Sequence, residues 1–434
     1  MKYFTKYFLF LFISASVSLE SKEIHKKLIV LSIDGFPGYY ANSQSDFYKF
    51  TPNLNLLREK SNFSNSVTSV YPTMTYPAHT SMVTGVDPES HRIRFNSPVD
   101  PFGKNSNGWM WYFEDINVRS IFDFLRANKK KSASIYWPVT AGADIDYNIP
   151  QYWRAKNKED EKLLRLLSTK GLYDELKKEE IFVSEATSDK EKIKAGIYLW
   201  KNKKPDALFI YTTDLDTAHH NFGIYSPQAK EKLIAIDLLI KELVEETSLY
   251  SKKNLSLIIV SDHGFKEIKN MCYPNTELKA KGFFNPEKET WKFYFKTMGG
   301  FSVLLQNEDN PGFSLSISEL STLKQSIESK CLGTNFIFEG GNFDKLRRKF
   351  HSNAKAFLFS KGDTGFGEKI EATTFKSLEK PFSNHGFLPG DSSMKTMLLS
   401  YPKKVNVELK SIKNVFTLGC DWLKIKCEKG ERKN

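Results

Sequence analysis

The sequence has few cysteines and no second long apolar run, and both absences narrow what the protein can be. Four cysteines occur in 434 residues, none in a close Cys-x-x-Cys pair, so a metal site built from cysteine sulfur is not expected. Beyond the N-terminus no apolar stretch reaches the roughly 20 residues that a membrane helix needs, so no stable membrane insertion is expected. No internal repeat and no basic motif interleaved with aromatic residues is present, so a nucleic-acid polymer is not an expected partner.

The composition that remains is that of a globular protein with a basic excess. Hydrophobic residues make up 40% and charged residues 26% of the chain, and the formal net charge is +12. These proportions exclude a disordered chain, and the length suits one large domain or two ordinary ones. The positive charge favours an anionic ligand, but the lysines are spread along the chain and equally describe a basic exterior.

The N-terminus has the layout of a secretory signal. Lys2 and Lys6 precede an apolar run over residues 7–13, and small residues continue to Ser18. We therefore predict a signal peptide over residues 1–18, with an uncleaved anchor as the alternative. The mature protein is expected to be exported, either to a periplasm or out of the cell.

Export makes disulfide bonds permissible for the four cysteines. These are Cys272, Cys331, Cys420 and Cys427. An even number predicts two bridges, and three pairings are open at this point.

Three short apolar runs, each followed by an aspartate, predict buried strands. They read "KKLIVLSIDG", "PDALFIYTTDLD" and "NLSLIIVSDHG". Helical patterns lie between them, as in "TPNLNLLREKS", "VRSIFDFLRANKKK" and "SPQAKEKLIAIDLLIKELVEETS". This alternation predicts an α/β fold with a mostly parallel central sheet and helices on both faces.

The aspartates that follow these strands are the first candidate site residues. In parallel sheets the chemistry collects at the carboxyl ends of the strands. Asp34, Asp216 and Asp262 each follow a predicted strand, so we expect their side chains to meet.

Histidines accompany these aspartates at spacings that suit a metal site. His220 lies four residues after Asp216, His263 follows Asp262 directly, and His385 occurs later in "SNHGFLPGD". Each motif alone has an ordinary explanation as a turn, a cap or a surface loop. Together the six side chains form two sets of three, and their oxygen and nitrogen ligands are typical of catalytic zinc.

The segment "YPTMTYPAHTSMVTG" carries the candidate nucleophile. A threonine hydroxyl attacks poorly at neutral pH unless a divalent metal lowers its pKa. Thr75 lies between Pro72 and Pro77, which stiffen a turn that follows a strand-like segment. The other hydroxyls of the segment, Thr73 among them, are explained by helix caps and backbone hydrogen bonds.

A heavily charged stretch from Trp153 to Gly196 predicts an insertion of one or two solvated helices over residues 153–196. A lid over the site is the alternative interpretation, because long insertions in α/β enzymes are sometimes functional.

Five ordered motifs resemble one known family. They are "IDG", "PTMTYPAHTSMVTGVDPESHRIRFN", "YTTDLDTAHHNFG", "VSDHG" and "NHG". This pattern resembles the nucleotide pyrophosphatase/phosphodiesterase family of the alkaline phosphatase superfamily. The resemblance implies an alkaline-phosphatase-like phosphodiesterase domain over residues 25–425.

The resemblance also implies roles for individual residues. Thr75 corresponds to the family nucleophile, which bridges two metal ions, so two Zn²⁺ per chain are the implied cofactors. The ligands of one zinc correspond to Asp34, Asp262 and His263. The ligands of the other correspond to Asp216, His220 and His385, with His220 preferred over His219 because of its spacing to Asp216 and Gly223.

Three further residues correspond to substrate-binding positions of the family. Asn96 matches the residue that holds a non-bridging phosphoryl oxygen. Tyr76 matches an aromatic residue that stacks on the leaving nucleoside, and Tyr211 matches another pocket aromatic. Both tyrosines fit a buried core position equally well.

The sequence departs from the family pattern at three positions. Ala78 replaces an asparagine, Arg92 replaces a glycine, and His219 replaces the glycine before the second-site histidine. These changes leave the metal ligands intact and bear on the shape of the pocket.

Three enzymatic activities fit these features. The first is hydrolysis of phosphodiester or pyrophosphate bonds in a small substrate, a nucleotide above all, through a phospho-threonine intermediate. The second is a phosphodiesterase for a lipid or choline head group. The third is a phosphomonoesterase, for which the sequence offers no clear extra cation, although Arg92 and Arg94 near Asn96 are left open. A binding protein without activity is disfavoured because Thr75 and all six ligands are present, and the oligomeric state is left open.

Overall fold

The computed structural model describes residues 25–105, 107–154, 158–184, 186–309, 312–428 and 430. The predicted signal peptide lies outside these residues.

The strands of the described residues are β1 Lys27–Ile33, β2 Asn62–Val67, β3 Ser132–Ile135, β4 Tyr147–Ile149, β5 Ala207–Thr212, β6 Leu255–Val260, β7 Lys266–Cys272, β8 Phe284–Asn285, β9 Thr290–Trp291, β10 Phe293–Met298, β11 Phe301–Gln306, β12 Thr334–Ile337, β13 Ala356–Ser360, β14 Thr364–Phe366, β15 Phe375–Asn384 and β16 Thr396–Tyr401. The α-helices are α1 Pro52–Glu59, α2 Thr75–Thr84, α3 Pro88–His91, α4 Ile121–Ala127, α5 Lys158–Leu167, α6 Leu172–Lys178, α7 Asp189–Asn202, α8 Asp214–Phe222, α9 Pro227–Glu246, α10 Pro274–Ala280, α11 Ile317–Lys330, α12 Gly341–Lys349 and α13 Asn414–Leu423.

A seven-stranded sheet in the order β2-β16-β6-β1-β5-β3-β4 forms the centre of the fold. Strands β6, β1, β5, β3 and β4 are parallel, whereas β16 runs antiparallel to both β6 and β2. The predicted mostly parallel sheet is therefore confirmed. The three strands predicted from the apolar runs lie side by side as β6, β1 and β5, and they are almost entirely buried, as parallel strands covered on both faces must be.

Helices cover both faces of this sheet, and two glycines mark the closest approaches. A Cβ atom on Gly419 of α13 would lie 3.2 Å from the side chain of Leu28. A Cβ atom on Gly196 of α7 would lie 2.3 Å from the side chain of Ile210. Leu28 of β1 is in register with Ala207 of β5, so it lies on the opposite face from Leu208 and Ile210. Helices α13 and α7 therefore sandwich the sheet.

A second, smaller sheet lies in the C-terminal half of the chain. Strands β10, β11, β13 and β12 form an antiparallel sheet, and β14, β7 and β15 form a separate three-stranded one. Their side chains form hydrophobic clusters distinct from that of the central sheet. The motifs in the sequence do not predict this layer, although the Gly299-Gly300 pair between two Phe-rich runs is a recognisable hairpin signal.

The charged stretch over residues 153–196 forms helices α5, α6 and the first half of α7. Its predicted C-terminal limit falls inside α7, because Ile193, Ala195 and Leu199 of this helix are buried in the core. Helix α7 is therefore part of the covered sheet, and the solvated portion consists of α5 and α6.

Two disulfide bonds are present, as predicted, and the structure resolves their pairing. Cys272 at the end of β7 bonds to Cys331 after α11, across a sequence separation of 59. Cys420 in α13 bonds to Cys427, across a separation of 7.

None of the helices in the described ranges is both long enough and apolar enough to span a bilayer.

The two disulfides are predicted to differ in their effect on stability. Removing Cys272–Cys331 with a pair of alanines should lower the free energy of unfolding by about 4 kcal/mol, because it frees a long loop in the unfolded state. Removing Cys420–Cys427 should cost about 2.5 kcal/mol, since that loop is short. Urea unfolding of both double variants measures the difference. Equal losses would show that loop length does not control the stabilisation.

Candidate active site

The candidate site lies at the carboxyl ends of the three central strands. Asp34 directly follows β1, Asp262 lies two residues after β6, and Asp216 lies in the first turn of α8, which follows β5. Because these strands are adjacent and parallel, their ends meet at one edge of the sheet. The structure thus brings together the three aspartates that the sequence predicted to meet.

The first predicted ligand set is assembled. One ligand atom each from Asp34, Asp262 and His263 lies within 4.8 Å of the others. The Nε2 atom of His263 is 3.2 Å from Asp262 Oδ2 and 3.3 Å from Asp34 Oδ1. All three side chains are buried, so the group is shielded from bulk water.

The second predicted set is assembled with one difference. Ligand atoms of Asp216, His385 and His263 lie within 4.8 Å of one another, so His263 takes the place of His220 in this group. His220 Nε2 lies 3.5 Å from Asp216 Oδ1, and His385 Nε2 lies 4.0 Å from the same oxygen. The rings of His263 and His385 stack at 3.6 Å between centroids, which places the two sets side by side.

Hydrogen bonds fix which nitrogen of each buried histidine faces the cluster. His385 Nδ1 donates to the carbonyl of Thr73 at 3.0 Å, and His263 Nδ1 lies 3.3 Å from the carbonyl of Gly264. A carbonyl oxygen only accepts, so in both rings Nδ1 carries the proton and Nε2 presents a lone pair to the cluster. This is the arrangement in which histidine binds a metal.

The carboxylates show why the cluster needs a cation. Asp34 Oδ1, Asp216 Oδ1 and Asp262 Oδ2 are buried and have no hydrogen-bond partner among the described residues. Burial raises the pKa of Asp216 to about 8 and of Asp262 to about 7, and burial together with the charge of Asp262 raises the pKa of Asp34. A carboxylate buried without a partner is costly unless a metal or a positive group offsets its charge.

The histidines of the cluster are shifted in the complementary direction. Burial, together with the neighbouring His220, lowers the pKa of His385 to about 3. Burial also lowers the pKa of His263. Neutral imidazoles beside carboxylates with unpartnered oxygens fit divalent cations, and this mixture of oxygen and nitrogen ligands suits zinc.

Thr75 stands next to the cluster as the first residue of α2, and not within a turn as the sequence suggested. Its Oγ1 lies 3.4 Å from His263 Nε2. His79 fixes the backbone of Thr75, because its Nδ1 donates to the Thr75 carbonyl at 2.8 Å while its Nε2 lies 2.8 Å from the hydroxyl of Ser32. The Thr75 hydroxyl is therefore held at the start of a helix, where the helix dipole favours negative charge.

Thr73 connects the Thr75 segment to the last predicted ligand. Its carbonyl accepts from His385 Nδ1 and also from the N–H of Gly386 at 3.1 Å. Its hydroxyl donates to the carbonyl of Phe387 at 2.9 Å. Thr73 thus makes the backbone bonds expected of it, and the two bonds to its carbonyl oxygen hold His385 in place.

The turn between β10 and β11 supports His385 from the other side. A Cβ atom on Gly299 would lie 1.8 Å from the carbonyl oxygen of His385, and a Cβ atom on Gly386 would lie 2.0 Å from the carbonyl oxygen of Met298. Both glycines have positive φ values, 65° and 80°. Only glycine permits this backbone-to-backbone contact, so the small sheet positions the histidine.

A cleft of about 720 Å³ opens beside the cluster. Besides Thr75 and several of the predicted ligands, it is lined by Asn96, Trp109, Tyr136, Trp153 and Lys192. Asn96 Oδ1 accepts the backbone N–H of Tyr76 at 2.9 Å. This bond turns the amide so that the NH₂ group of Asn96 is left as the donor for a ligand.

The structure contradicts the stacking role expected of Tyr76. Its side chain is 0% exposed and is not part of the cleft wall. The ring packs edge-on against Trp109, at 5.1 Å between centroids. The backbone N–H of Tyr76 already donates to Asn96 Oδ1. The aromatic residues that line the cleft include Trp109 and Trp153, whose rings lie 4.7 Å apart.

The position of Tyr211 agrees with that of a pocket aromatic, and its hydroxyl makes a further contact. It borders the cleft, but it is only 2% exposed, and its hydroxyl donates to Asp34 Oδ2. It therefore orients the first ligand set.

The departures from the family pattern have local explanations. Arg92 adopts the left-handed conformation with φ 71° at the end of α3, where glycine is favoured. The His219 ring is buried, and its Nε2 lies 3.0 Å from the hydroxyl of Tyr40, away from the ligand atoms. Ala78 is fully buried in α2. None of these changes removes a ligand.

Sequence reasoning missed two groups of residues. Phe265 follows the "SDHG" motif directly, and its buried ring contacts His219, His220, His263 and His385 at centroid distances of 4.9, 4.9, 5.7 and 5.2 Å. The cleft residues Trp109, Tyr136 and Lys192 come from segments with no motif of their own. Only Trp153, at the edge of the predicted insertion, could have been suspected.

Comparison with known proteins identifies the class to which this fold and site belong. The sequence model of the type I phosphodiesterase/nucleotide pyrophosphatase family matches residues 28–323. The chain belongs to this family, and the predicted resemblance is confirmed.

Several named relatives share this similarity. Mouse ectonucleotide pyrophosphatase/phosphodiesterase family member 1 is 23% identical over 91% of this chain and 40% of its own length. Venom phosphodiesterase of Naja atra is 24% identical over 92% of this chain and 44% of its own length. Bis(5'-adenosyl)-triphosphatase ENPP4 of Pongo abelii is 28% identical over 57% of this chain and 49% of its own length. The chain thus spans less than half the length of these curated relatives.

Solved structures show the same fold. Murine ectonucleotide pyrophosphatase/phosphodiesterase 5, in an inactive form in complex with AMP, superposes with a TM-score of 0.65 at 17% identity, over 93% of this chain and 96% of that chain. The human protein of the same name gives a TM-score of 0.65 at 17% identity, with the same coverage of both chains. The predicted alkaline-phosphatase-like fold is therefore confirmed.

The contact between Gly299 and His385 predicts a selective loss of metal. Gly299→Ala should lower the amount of zinc that the protein binds, because the added Cβ displaces His385 and leaves the Asp34 set intact. Metal analysis after gel filtration measures the stoichiometry. Gly282→Ala is the matched control, since Gly282 also has a positive φ but has open space around it. Equal zinc in both variants would contradict the positioning role.

The buried carboxylates predict a pH-dependent stability in metal-free protein. The folded-state pKa values of about 8 for Asp216 and about 7 for Asp262 exceed the ordinary aspartate value. The protonated carboxyl groups contribute their full stabilisation at pH values below the ordinary aspartate pKa. This contribution is lost as the pH rises through 7 and 8. Between about pH 7 and pH 9, where histidines in the unfolded chain are already neutral, the urea midpoint of chelated protein should fall.

Zinc should restore that midpoint at the higher pH by balancing the carboxylate charge. A midpoint of the metal-free protein that is flat or rises over this range would show that the three aspartates are not held as buried acids.

Proposed function

We propose that this chain is an exported, two-zinc nucleotide pyrophosphatase/phosphodiesterase that cleaves a small phosphodiester or pyrophosphate substrate through a phospho-threonine intermediate. The observation that carries the proposal is the placement of Thr75 Oγ1 beside two groups of buried carboxylate and imidazole ligands. Family membership supports the reaction class, and the AMP complex of the structurally similar murine protein agrees with a nucleotide ligand.

The proposed metal ligands follow the two sets. Asp34, Asp262 and His263 would hold one zinc, and Asp216, His220 and His385 the other, with Thr75 between them. When bound, the two ions would supply Lewis-acid chemistry that activates the attacking hydroxyl and offsets charge on the phosphoryl group.

The chain's own residues then have the following roles. The Thr75 hydroxyl loses its proton to water as Oγ bonds to phosphorus, and the bond to the leaving oxygen breaks so that the leaving group departs with the bonding electrons. Water later attacks the same phosphorus, the Oγ–phosphorus bond breaks, and Thr75 regains a proton as the nucleotide is released. The NH₂ group of Asn96, oriented by its bond to the Tyr76 N–H, donates to a non-bridging oxygen. His79 and Tyr211 hold Thr75 and Asp34 in position. Because two displacements occur at phosphorus, its configuration is retained overall.

The cleft favours a nucleotide over a choline head group. Trp109 and Trp153 present flat surfaces on which a base can stack. A quaternary ammonium would also need aromatic faces, but the ammonium of Lys192 already lies 5.5 Å from the ring of Tyr136 and 5.8 Å from that of Tyr211. A fixed positive charge at this place opposes a cationic head group.

The arginines considered for monoester hydrolysis do not serve the site. Arg92 and Arg94 pair with Glu89 at 3.1 and 2.8 Å, and neither lines the cleft. A substrate that contains a phosphodiester or pyrophosphate bond is therefore preferred over a phosphomonoester.

Export is supported indirectly. Both disulfides fit an oxidising compartment, and two of the relatives are named as an ectoenzyme and a venom protein. A periplasmic or secreted location follows as part of the proposal.

Deleting the Thr75 hydroxyl tests the proposed chemistry. Thr75→Ala should keep both zinc ions, because the six ligands lie elsewhere, and should lower kcat on the nitrophenyl ester of thymidine 5′-monophosphate by about 10³-fold or more. Thr75→Ser should retain substantial activity. Rapid quenching of the wild type should trap phosphate on the peptide that contains Thr75.

Thr73→Ala is the control, because its hydroxyl bonds only the Phe387 carbonyl. Full activity in Thr75→Ala would mean that water attacks directly. Rates on nitrophenyl phosphate and nitrophenyl phosphocholine, measured alongside, decide between the three substrate classes.

A further inference from the structure

A buried lysine forms part of the cleft wall and has no role in the chemistry proposed above. Lys192 lies on α7, and its side chain is only 3% exposed. Lysine is almost never fully buried unless it is paired, so its presence beside a metal cluster calls for an explanation.

The surroundings of Lys192 hold its ammonium in one place. Nζ donates to Asp189 Oδ1 at 3.2 Å and to Thr213 Oγ1 at 2.6 Å. The rings of Tyr136 and Tyr211 flank it at 5.5 and 5.8 Å. An ammonium group has three N–H donors, and two are used by oxygens of the described residues. The third is left for a group in the cleft.

Asp189 pairs with Lys192 at 3.2 Å and offsets part of this charge, but it does so from outside the cleft. Both of its oxygens are already engaged, because Oδ1 accepts the backbone N–H of Thr213 at 2.7 Å and Oδ2 accepts that of Asp214 at 3.0 Å. The carboxylate thus faces the start of α8 and is not among the residues that line the cleft, whereas Lys192 is.

Backbone strain at a neighbouring residue supports a built subsite. Tyr136 has φ 59°, which is unfavourable for a residue with a Cβ atom. Its hydroxyl is fixed by the carbonyl of Ser184 at 2.6 Å and by Thr187 Oγ1 at 2.9 Å. Strain of this kind persists only where the surroundings over-determine it, and it is common at ligand-binding sites. Here it keeps the ring beside Lys192.

We infer that Lys192 is a specificity residue that binds a second anionic group of the substrate, namely a phosphate attached to the reacting phosphoryl group. Asp216 and Thr213 both belong to the segment that begins α8, so the ammonium and the metal cluster border the same part of the cleft. A pyrophosphate leaving group carries negative oxygens there, whereas a nitrophenolate does not. This inference rests on the proposed function and narrows it toward nucleoside polyphosphates over simple diesters.

Two substrates that differ only in the leaving group test the inference. Both contain thymidine 5′-monophosphate. Thymidine 5′-triphosphate releases pyrophosphate, whereas the nitrophenyl ester of thymidine 5′-monophosphate releases nitrophenolate. Lys192→Met should lower kcat/KM about 10-fold or more on the triphosphate, since a charge-assisted hydrogen bond is lost, and much less on the ester. Lys192→Arg should restore part of the preference.

Lys232→Met is the matched control. Lys232 pairs with Asp214, the first residue of α8, at 3.2 Å. Unlike Lys192, Lys232 does not line the cleft. It should leave the ratio of the two kcat/KM values unchanged. Equal losses of kcat/KM on both substrates in Lys192→Met would show that the lysine only holds α8. That result, or no loss on either substrate, would overturn the inference.

Two further measurements cover misfolding and a failure of the proposed activity. Lys192→Met leaves Asp189 buried without its cation, so the double variant Lys192→Met/Asp189→Asn removes both charges and should show the same selective loss. In zinc-loaded Thr75→Ala, calorimetry should show tighter binding of thymidine 5′-diphosphate than of the monophosphate, and Lys192→Met should remove that difference. If Thr75→Ala with Lys192 intact binds both nucleotides equally tightly, the inference about Lys192 is overturned. That result would leave the proposed phospho-threonine intermediate untouched.

Discussion

The site depends on one constraint, which is that three carboxylates are buried together. Asp34, Asp216 and Asp262 lie at the ends of adjacent strands, and no lysine or arginine of the described residues forms an ion pair with them. Burial alone would keep these groups protonated, and a protonated carboxyl is a poor metal ligand. Divalent cations would resolve the conflict, and the buried neutral histidines and the fixed Thr75 fit that proposal.

The two sheets divide the work of holding this centre. The parallel sheet delivers Asp34, Asp216 and Asp262 directly, because its topology places those strand ends side by side. His385 arrives from β15 of the smaller sheets and is held between the carbonyl of Thr73 and the Gly299 turn. Phe265 fills the space between the histidines. The large sheet therefore sets the positions of the charges, and the smaller sheets close the ligand set.

Sequence reasoning reached the parts of the molecule that depend on local pattern. Apolar runs ending in aspartate located β1, β5 and β6, and their adjacency followed from parallel-sheet topology. Tyr76 shows the limit, because an aromatic residue beside the nucleophile can face the cleft or the core, and only the packing of Trp109 decides which. Lys192 could not be found because it becomes significant through contacts with residues distant in sequence, Thr213 and Tyr136. The smaller sheet was missed because, apart from the β10–β11 hairpin, its strands are joined by long, weakly patterned segments.

The position of β16 has a consequence for the order in which the molecule can be completed. This strand comes late in the chain yet lies between β2 and β6, with Thr396 paired to Val67 and Leu398 paired to Val260. During synthesis from the N-terminus, β6 must keep an open edge until that strand appears, and β2 has no neighbour to pair with. The nascent chain thus carries Thr75 and the three aspartates long before this sheet can close. A product of translation interrupted before β16 would therefore expose the edge of β6 and would lack the completed central sheet that supports the proposed site.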